Sequence, residues 1–283
     1  MKILSWNIQW CRGCDGVVSP QRIIDEIKRL GDFDVICLQE VASGFADLPG
    51  SSGEDQFALL AAGFPGYQAL PGVAVDFAGA DGARKHFGNL LLTRLPLLRG
   101  RVHALPWPKE AVEPTMPRVL IEATVKTPIQ SVRVLTTHLE YYSAEQRTQQ
   151  IDAIRRIHAE ACQRAELTVP HKKDVGPFAY VQDTAAAVLL GDFNLQTTYP
   201  EYARMLAAPL EQSHAFLDAW TVRHPAESHP LSFALYDRSS IPEPYACDFA
   251  FISTNLEQRL TAIAVDQSSR ASDHQAVMIN LDI

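Results

Sequence analysis

Short apolar runs separated by polar residues recur along the whole chain, and runs of about four to eight such residues are typical of buried β-strands. Some runs follow one another directly, whereas others are separated by segments with helical spacing, which favours mixed sheets with helices outside them. We predict strands over 3–6, 34–39, 119–125, 132–137, 185–190, 247–253, 260–266 and 276–283.

Two helices have recognisable first residues. Ser19-Pro20 is typical of an N-cap followed by proline at the first helical position, and Gly31 ends the helix after apolar residues at helical spacing. Ser143 with Gln146 matches a capping box and predicts a helix that continues to about Cys162. A weaker pattern predicts a helix over 54–62.

Polar side chains stand at the ends of several predicted strands, where the rigid backbone holds them in place. Four are carboxylates, and each close pair of like charges costs about 4 kcal/mol at 4 Å and an effective dielectric of 20. Such a cluster needs a cation, and oxygen ligands without cysteine suit Mg²⁺ or Mn²⁺ better than Zn²⁺. These strand-end residues are Asn7, Glu40, His138, Asp192, Asn194, Asp248, Asp273 and His274.

Seven short motifs containing these residues occur in an order that resembles the DNase I-like endonuclease/exonuclease/phosphatase superfamily. The resemblance runs from residue 4 to residue 274, and seven motifs in order are far more specific than one. The motifs are Trp6-Asn7, Leu38-Gln39-Glu40, Gly88-Asn89-Leu90-Leu91-Leu92-Thr93-Arg94, Thr137-His138-Leu139, Gly191-Asp192-Phe193-Asn194, Asp248-Phe249 and Ser272-Asp273-His274.

The resemblance implies one domain over 1–283 with an α/β (α+β) fold, a four-layer sandwich of two packed mixed β-sheets flanked by helices. It implies a phosphoesterase that depends on Mg²⁺ or Mn²⁺ and hydrolyses a phosphodiester in nucleic acid or a nucleotide-like ester. A phosphomonoesterase, a lipid-headgroup phosphodiesterase and a catalytically inactive binding module are the alternatives. The intact set of polar motif residues argues against the inactive module.

The resemblance also implies a role for each motif residue. The implied metal ligands are Asn7, Glu40 and Asp273. Asp273 could bind the metal directly or through a water molecule. The other five are catalytic: His274 is a general base oriented by Asp248, Asp192 aligns the attacking water, and His138 and Asn194 hydrogen-bond the phosphate oxygens.

The net charge and the cysteine content of the chain limit the ligands that it is expected to bind. The net charge of −8 argues against a nonspecific basic groove for nucleic acid but leaves a nuclease possible, because the carboxylates of the site count in that sum. Cys11 and Cys14 form a C-x-x-C pair without a second pair at zinc spacing, so we interpret them as reduced thiols. Neither a signal peptide nor a membrane span is expected, which favours the cytoplasm.

Three loops, 41–53, 104–117 and 168–184, are expected around the site, where loops commonly set specificity. Trp107, Tyr141 and Tyr142 are candidate stacking platforms for a base or an aromatic leaving group, whereas Trp6, Trp10 and Trp220 are expected in the core. Arg94 is a candidate structural residue. Arg84, Lys85 and His86 are either contacts for a second phosphate or an ordinary charged loop.

The Thr-His-Leu motif also separates branches of the superfamily. It resembles DNase I, the sphingomyelinases and the tyrosyl-DNA phosphodiesterases, whereas the branch of exonuclease III and the abasic-site endonucleases tends to have tyrosine at the position of His138. The chain also lacks the Trp-Asn-x-Asn-Gly start of that branch and has Gln9-Trp10 instead. We therefore predict no strong preference for abasic DNA.

Overall fold

The computed structural model describes residues 1–80, 82–109, 114–167, 176–210, 213–238, 241 and 243–283. The strands of the described residues are β1 (Lys2–Asn7), β2 (Val35–Ser43), β3 (Gln68–Ala78), β4 (Arg84–Thr93), β5 (Leu97–Ala104), β6 (Val119–Lys126), β7 (Ser131–His138), β8 (Ala187–Asp192), β9 (Phe216–Asp218), β10 (Asp248–Ser253), β11 (Leu260–Val265) and β12 (Val277–Leu281). Eight of these strands overlap the predicted apolar runs, and β4 carries the motif that begins at Gly88. Three further strands (β3, β5 and β9) were not predicted.

The two helices with a predicted N-cap begin directly after that residue. The hydroxyl of Ser19 accepts a hydrogen bond from the Arg22 backbone, and that of Ser143 accepts one from Gln146, as predicted. The second of these helices continues to Glu166, beyond its predicted end at Cys162. The helices are α1 (Pro20–Leu30), α2 (Gln56–Ala62), α3 (Ala144–Glu166), α4 (Pro200–Met205) and α5 (Ala219–Arg223).

The strands form two sheets of six strands, each with parallel and antiparallel neighbours. Their orders are β11-β12-β1-β2-β4-β3 and β5-β6-β7-β8-β10-β9. Side chains from both sheets form one apolar core between them, in which Ile3 and Leu91 of the first sheet join Ile121 and Val188 of the second. The two sheets therefore pack face to face, with a shared dry interior.

Helices cover the outer faces of the sheets. Ile23 and Ile27 of α1 pack with Trp6 on the first sheet, while Ile151 and Ile154 of α3 pack on the second. The arrangement confirms the predicted four-layer sandwich, because each sheet has one face against the other sheet and one against helices. No helix in the described ranges combines the length and the apolar character needed to cross a bilayer.

The structure describes only parts of the three loops that were predicted around the site. Residues 110–113 of the 104–117 loop and 168–175 of the 168–184 loop lie outside the described residues. The 41–53 segment is a loop only after Ser43, where β2 ends.

Candidate active site

Three neighbouring strands of the second sheet carry the catalytic candidates at one edge. In the strand register His138 of β7 and Asp248 of β10 both pair with Asp192 of β8, which lies between them. Asn194 follows β8 directly, and its backbone N–H donates to Asp192 Oδ1 at 2.9 Å. Strand pairing alone therefore places these side chains together, since they come from adjacent strand ends.

The first sheet contributes the remaining residues across the gap between the sheets. Asn7 ends β1, and its side-chain nitrogen donates to Asp192 Oδ2 at 2.9 Å and to Glu40 Oε1 at 3.0 Å. Asn7 and Asp192 are fully buried, and Glu40 is partly buried. One amide thus joins two carboxylates that would otherwise repel each other at close range.

Glu40 does not follow the end of its strand, as the sequence had suggested, but lies inside β2. The register of β2 shifts between Leu38 and Val41, and Glu40 has a φ of 59°, in the left-handed region. A β-bulge of this kind turns one side chain away from the regular alternation of the strand. The bulge therefore brings Glu40 beside Asn7, at the edge between the two sheets where Asp192 also lies. We call this edge the mouth of the site. Strand β2 itself continues to Ser43.

Asp248, His274 and Asp192 form a chain of contacts. The His274 Nδ1 atom lies 2.9 Å from Asp248 Oδ2, and its Nε2 atom lies 3.7 Å from Asp192 Oδ2. With its Nδ1 proton donated to Asp248, His274 presents Nε2 to the mouth. Burial opposes the charged imidazole, but Asp248 and Asp192 outweigh it and hold the pKa of His274 well above its ordinary value.

The backbone of His274 is held as firmly as its ring. Trp6 donates its indole N–H to the His274 carbonyl at 2.9 Å, and the Ser272 hydroxyl accepts from the His274 N–H at 3.2 Å. The same hydroxyl donates to the Asn7 carbonyl at 2.8 Å. These bonds fix His274 relative to the strand that carries Asn7.

Asp273 joins the cluster through Gln9. The Gln9 side chain donates to Asp273 Oδ2 at 2.6 Å, and its backbone N–H donates to Asn7 Oδ1 at 3.1 Å. Burial and then the charge of Asp273 raise the pKa of Glu40 to about 7. All eight residues predicted from the sequence thus belong to one connected network.

The donor set fits a hard divalent cation. One ligand atom from each of Glu40, His138 and Asp192 lies within 4.8 Å of the others, and Asp273 adds a further carboxylate beside Glu40. Burial and the neighbouring Asp273 raise the pKa of Glu40, and a cation bound beside it would favour the ionised carboxylate. Asn7 currently turns its nitrogen to the carboxylates, so ligation through its oxygen would require the amide to turn over.

His138 and Asn194 contact each other directly. The Asn194 side-chain nitrogen donates to the Leu139 carbonyl and also lies 3.0 Å from His138 Nε2. Because the carbonyl can only accept, the amide orientation is set, and His138 Nε2 is an acceptor without a proton. Burial and then Arg118 lower the pKa of His138 to about 3, which agrees with a neutral ring.

Two supporting residues had no signal in the sequence. Arg118 is buried beside Glu140, with Nε and Nη2 both 3.4 Å from Glu140 Oε2. Among the described residues none accepts a hydrogen bond from its Nη1. Ser232 donates to Asp248 Oδ2 at 2.8 Å, although it stands outside every motif. A lone arginine after a proline-rich loop and a lone serine in a coil carry no recognisable pattern.

Several other candidates lie away from the catalytic network. Arg94 pairs with Asp32 and Asp34, which supports its structural role. Trp10 is not in the core: it is half-buried with a φ of 41°, because residues 9–11 form a left-handed turn. Trp6 and Trp220 are buried, as predicted.

The charged segment before Gly88 is part of β4 rather than a loop. Arg84 and His86 pair with Asp76, and Lys85 pairs with Asp47. These ion pairs agree with the ordinary charged-surface interpretation.

Cys11 and Cys14 are free thiols, as expected. Burial raises the pKa of both, so neither is activated as a thiolate.

Gly191→Ala is expected to destabilise the protein and displace Asp192. A Cβ at this position would lie 2.0 Å from the Thr137 carbonyl oxygen of the neighbouring strand, and its φ of 150° is unfavourable for alanine. Overpacking of this kind costs about 1–3 kcal/mol. Urea denaturation followed by tryptophan fluorescence measures the loss of unfolding free energy.

Gly66→Ala is the matched control, because Gly66 also has a positive φ but has open space around the added carbon. We expect a smaller loss of stability for Gly66→Ala than for Gly191→Ala. Equal losses would show that the close approach to Thr137 is unimportant.

The model of the endonuclease/exonuclease/phosphatase family matches residues 4–274. Among curated protein sequences no match was found.

Solved structures share the fold at low identity. An endonuclease/exonuclease/phosphatase from Bacteroides vulgatus is 18% identical, with 100% of this chain and 98% of that chain covered and a TM-score of 0.69. The mannosyl-6-phosphatase Bt3783 of Bacteroides thetaiotaomicron is 16% identical, with full coverage of both chains and a TM-score of 0.63. D. rerio TDP2 complexed with a single-strand DNA product is 16% identical, with 100% and 99% covered and a TM-score of 0.65.

Proposed function

The protein belongs to the endonuclease/exonuclease/phosphatase family, and from that premise we propose that it hydrolyses a phosphodiester in nucleic acid or in a nucleotide-like ester. Members of this family are metal-dependent hydrolases of phosphate esters, and this protein is one of them. The proposal consists of the diester bond, the nucleotide-like substrate and the preference for Mg²⁺ or Mn²⁺. It also takes residues 1–283 as one catalytic domain. The observation that carries it is the Asp248–His274–Asp192 chain beside the Glu40 carboxylate.

The proposed mechanism begins with water near His274 Nε2. Asp248 holds the imidazole so that Nε2 faces the mouth. The neutral imidazole, which a cation bound nearby would favour over the imidazolium, takes a proton from the water. Asp192 lies within 3.7 Å of the same nitrogen and aligns the water for attack on phosphorus, in line with the leaving oxygen. Glu40 and Asp273, with Asn7, would hold a divalent cation, whose positive charge would offset the negative charge that develops on the phosphate oxygens.

Asn194 and His138 lie where the non-bridging oxygens are expected. A phosphate oxygen between them would accept the hydrogen bond that Asn194 now donates to His138 Nε2. His138 would donate a second bond once its proton is on Nε2. Nearby Arg118 adds a buried positive charge with an available N–H. Phosphoryl transfer needs mainly positioning and charge stabilisation of this kind.

The charge of the site favours a diester over a monoester. Four carboxylates surround the mouth, namely Glu40, Asp192, Asp248 and Asp273, and one buried guanidinium stands beside them. A diester brings a single negative charge, whereas a monoester brings about two at neutral pH. The second charge adds repulsion from buried carboxylates, where Coulomb energies are larger than in water.

A comparison of two chromogenic esters tests the proposal. With Mg²⁺ or Mn²⁺ present, kcat/KM for bis(p-nitrophenyl) phosphate is expected to exceed that for p-nitrophenyl phosphate by roughly 10-fold or more, which corresponds to about 1.4 kcal/mol. An Asp192→Asn preparation serves as the blank for contaminating enzymes. A preference for the monoester would overturn the diester assignment and favour a phosphomonoesterase.

We expect no preference for abasic DNA. The chain has the Thr-His-Leu form at His138 rather than the tyrosine that the repair branch tends to carry. Rates of cleavage of one labelled duplex with and without a tetrahydrofuran abasic site should agree within about 3-fold at equal enzyme and metal, a difference below 1 kcal/mol. Rapid, selective incision beside the abasic site would refute this branch assignment and leave the metal-dependent mechanism intact.

A further inference from the structure

Each of the three catalytic strands of the second sheet has a tyrosine near its catalytic residue. Tyr141 follows His138 of β7, Tyr199 follows Asn194 after β8, and Tyr245 precedes Asp248 of β10. Because β7, β8 and β10 are neighbours in the sheet, the three tyrosines come from the same edge as the site. With Tyr142, which packs edge-on against Tyr141 at 4.8 Å, they form what we call the tyrosine wall.

The wall is continuous with the catalytic histidine. The Phe233 ring lies 4.5 Å from the His274 ring and 5.3 Å from the Tyr245 ring. The backbone of Phe233 also forms bridges to His274 and to Tyr245. Burial, then Cys247, Tyr141, Asp192 and Tyr199, raise the pKa of Tyr245. The two ring contacts of Phe233 connect Tyr245 to the catalytic histidine.

A buried arginine contacts the exposed part of the wall. Arg147 donates to the backbone carbonyls of Glu140 and Tyr141, at 3.0 and 2.8 Å, and its guanidinium lies over the Tyr199 ring at 6.0 Å. Yet Tyr141, Tyr142 and Tyr199 remain 40%, 55% and 37% exposed. Tyrosine has only two side-chain torsions, so an exposed tyrosine ring loses little entropy when a planar ligand stacks on it.

The chemistry of the wall favours a neutral planar ligand. Arg147 is neutralised by Glu201 at 3.1 Å, so this charge is not available for a second phosphate. The Tyr199 ring already has a cation over it, which disfavours a cationic headgroup. A nucleobase is neutral and planar, and stacking on aromatic side chains is how proteins hold bases without reading their sequence.

We propose that the tyrosine wall binds a nucleobase on the ester arm that stays attached to phosphorus. This inference rests on the proposed phosphodiesterase function and names the part of the substrate that gives it affinity. Water attacks from the side of His274 and Asp192, so the leaving oxygen departs on the opposite side. The retained arm lies between these two positions, beside the non-bridging oxygens. Tyr141 and Tyr199 follow His138 and Asn194, the residues placed at those oxygens, so the wall stands on the side of the retained arm.

Two esters with the same p-nitrophenolate leaving group and the same charge test the proposal. One carries thymidine 5′-phosphate as the retained arm, and the other carries a methyl group. Wild type is expected to show kcat/KM on the order of 10-fold higher for the thymidine ester, within the range for one stacked base. Tyr141→Ala and Tyr199→Ala should bring this ratio close to one, mainly through a higher KM for the thymidine ester.

Conservative variants and a distant control separate stacking from general damage. Tyr141→Phe and Tyr199→Phe keep the ring and should keep the preference for the thymidine ester. Tyr67→Leu removes a partly exposed tyrosine that bonds the Phe33 carbonyl before β2, away from the site, and should leave the ratio at its wild-type value. An unchanged ratio in both alanine variants, or an equal fall in rate for both esters, would overturn the proposal.

The outcomes also separate this inference from the proposed function. A wild-type enzyme that hydrolyses both esters equally would refute the tyrosine wall alone. An enzyme inactive on both esters with Mg²⁺ and with Mn²⁺ would refute the phosphodiesterase itself, and with it the wall. A third ester with phosphorylcholine as the retained arm tests the cationic alternative, and a preference for it would overturn the nucleobase assignment.

Discussion

His274→Ala is expected to lower kcat by about 10²–10⁴-fold, the range typical of a general base. The ring lies 2.9 Å from Asp248 and presents its other nitrogen to the mouth, 3.7 Å from Asp192. No other described side chain has both an orienting carboxylate on one nitrogen and Asp192 beside the other. Single-turnover rates on bis(p-nitrophenyl) phosphate measure the chemical step directly.

Asp248→Asn should reproduce a large part of this loss. An amide at position 248 accepts a weaker hydrogen bond from His274 Nδ1 than a carboxylate does. The tautomer and orientation of His274 are then less strongly fixed. The double variant should be little worse than His274→Ala, because residues that act as a unit are not additive. Fully additive losses would show that Asp248 does not act through His274.

Ser232→Ala is a milder change to the Asp248–His274 pair, and its effect can be compared with that of Asp248→Asn. Its hydroxyl donates to Asp248 Oδ2, so its removal weakens the support of Asp248 without touching the reacting groups. We expect a loss much smaller than that of Asp248→Asn. Thermal melts of all variants establish that the folded fraction is the same in each assay.

Removal of divalent cations is expected to abolish turnover, and Mg²⁺ or Mn²⁺ should restore it. The reason is the crowding of Glu40, Asp192 and Asp273, in which burial and Asp273 raise the Glu40 pKa to about 7. Assays with EDTA, and after return of each metal, measure this dependence. Undiminished turnover in EDTA would refute the requirement for a metal.

Glu40→Gln separates metal binding from chemistry. The amide is nearly the same size as the carboxylate and retains a carbonyl oxygen that can accept from Asn7, so the fold should be kept. The variant should need a higher metal concentration for half-maximal rate and should also be slower at saturation. Glu54→Gln is a matched control on the surface segment before α2, where no effect on metal dependence is expected. A normal rate for Glu40→Gln at limiting metal would refute its role as a ligand.

The sequence by itself indicated which residues form the candidate site, because their types and order are local information. The apolar runs before Asn7, His138 and Asp192 predicted strands that end at these residues, and the structure has the strand ends there. The Ser19-Pro20 start and the Gly31 end of α1 were likewise predicted, since capping involves only neighbouring residues.

How these residues meet was decided only by the tertiary structure. The β2 bulge that turns Glu40 into the mouth depends on pairing with β4, and a one-residue change of register reverses the side of a strand to which a residue points. The bond from Asn7 to Asp192 crosses between two sheets, and Arg118 and Ser232 reach the site from segments without a motif. Hydrophobic periodicity encodes which face of an element is buried. It does not encode which distant element that face meets, because that is set by packing of the whole chain.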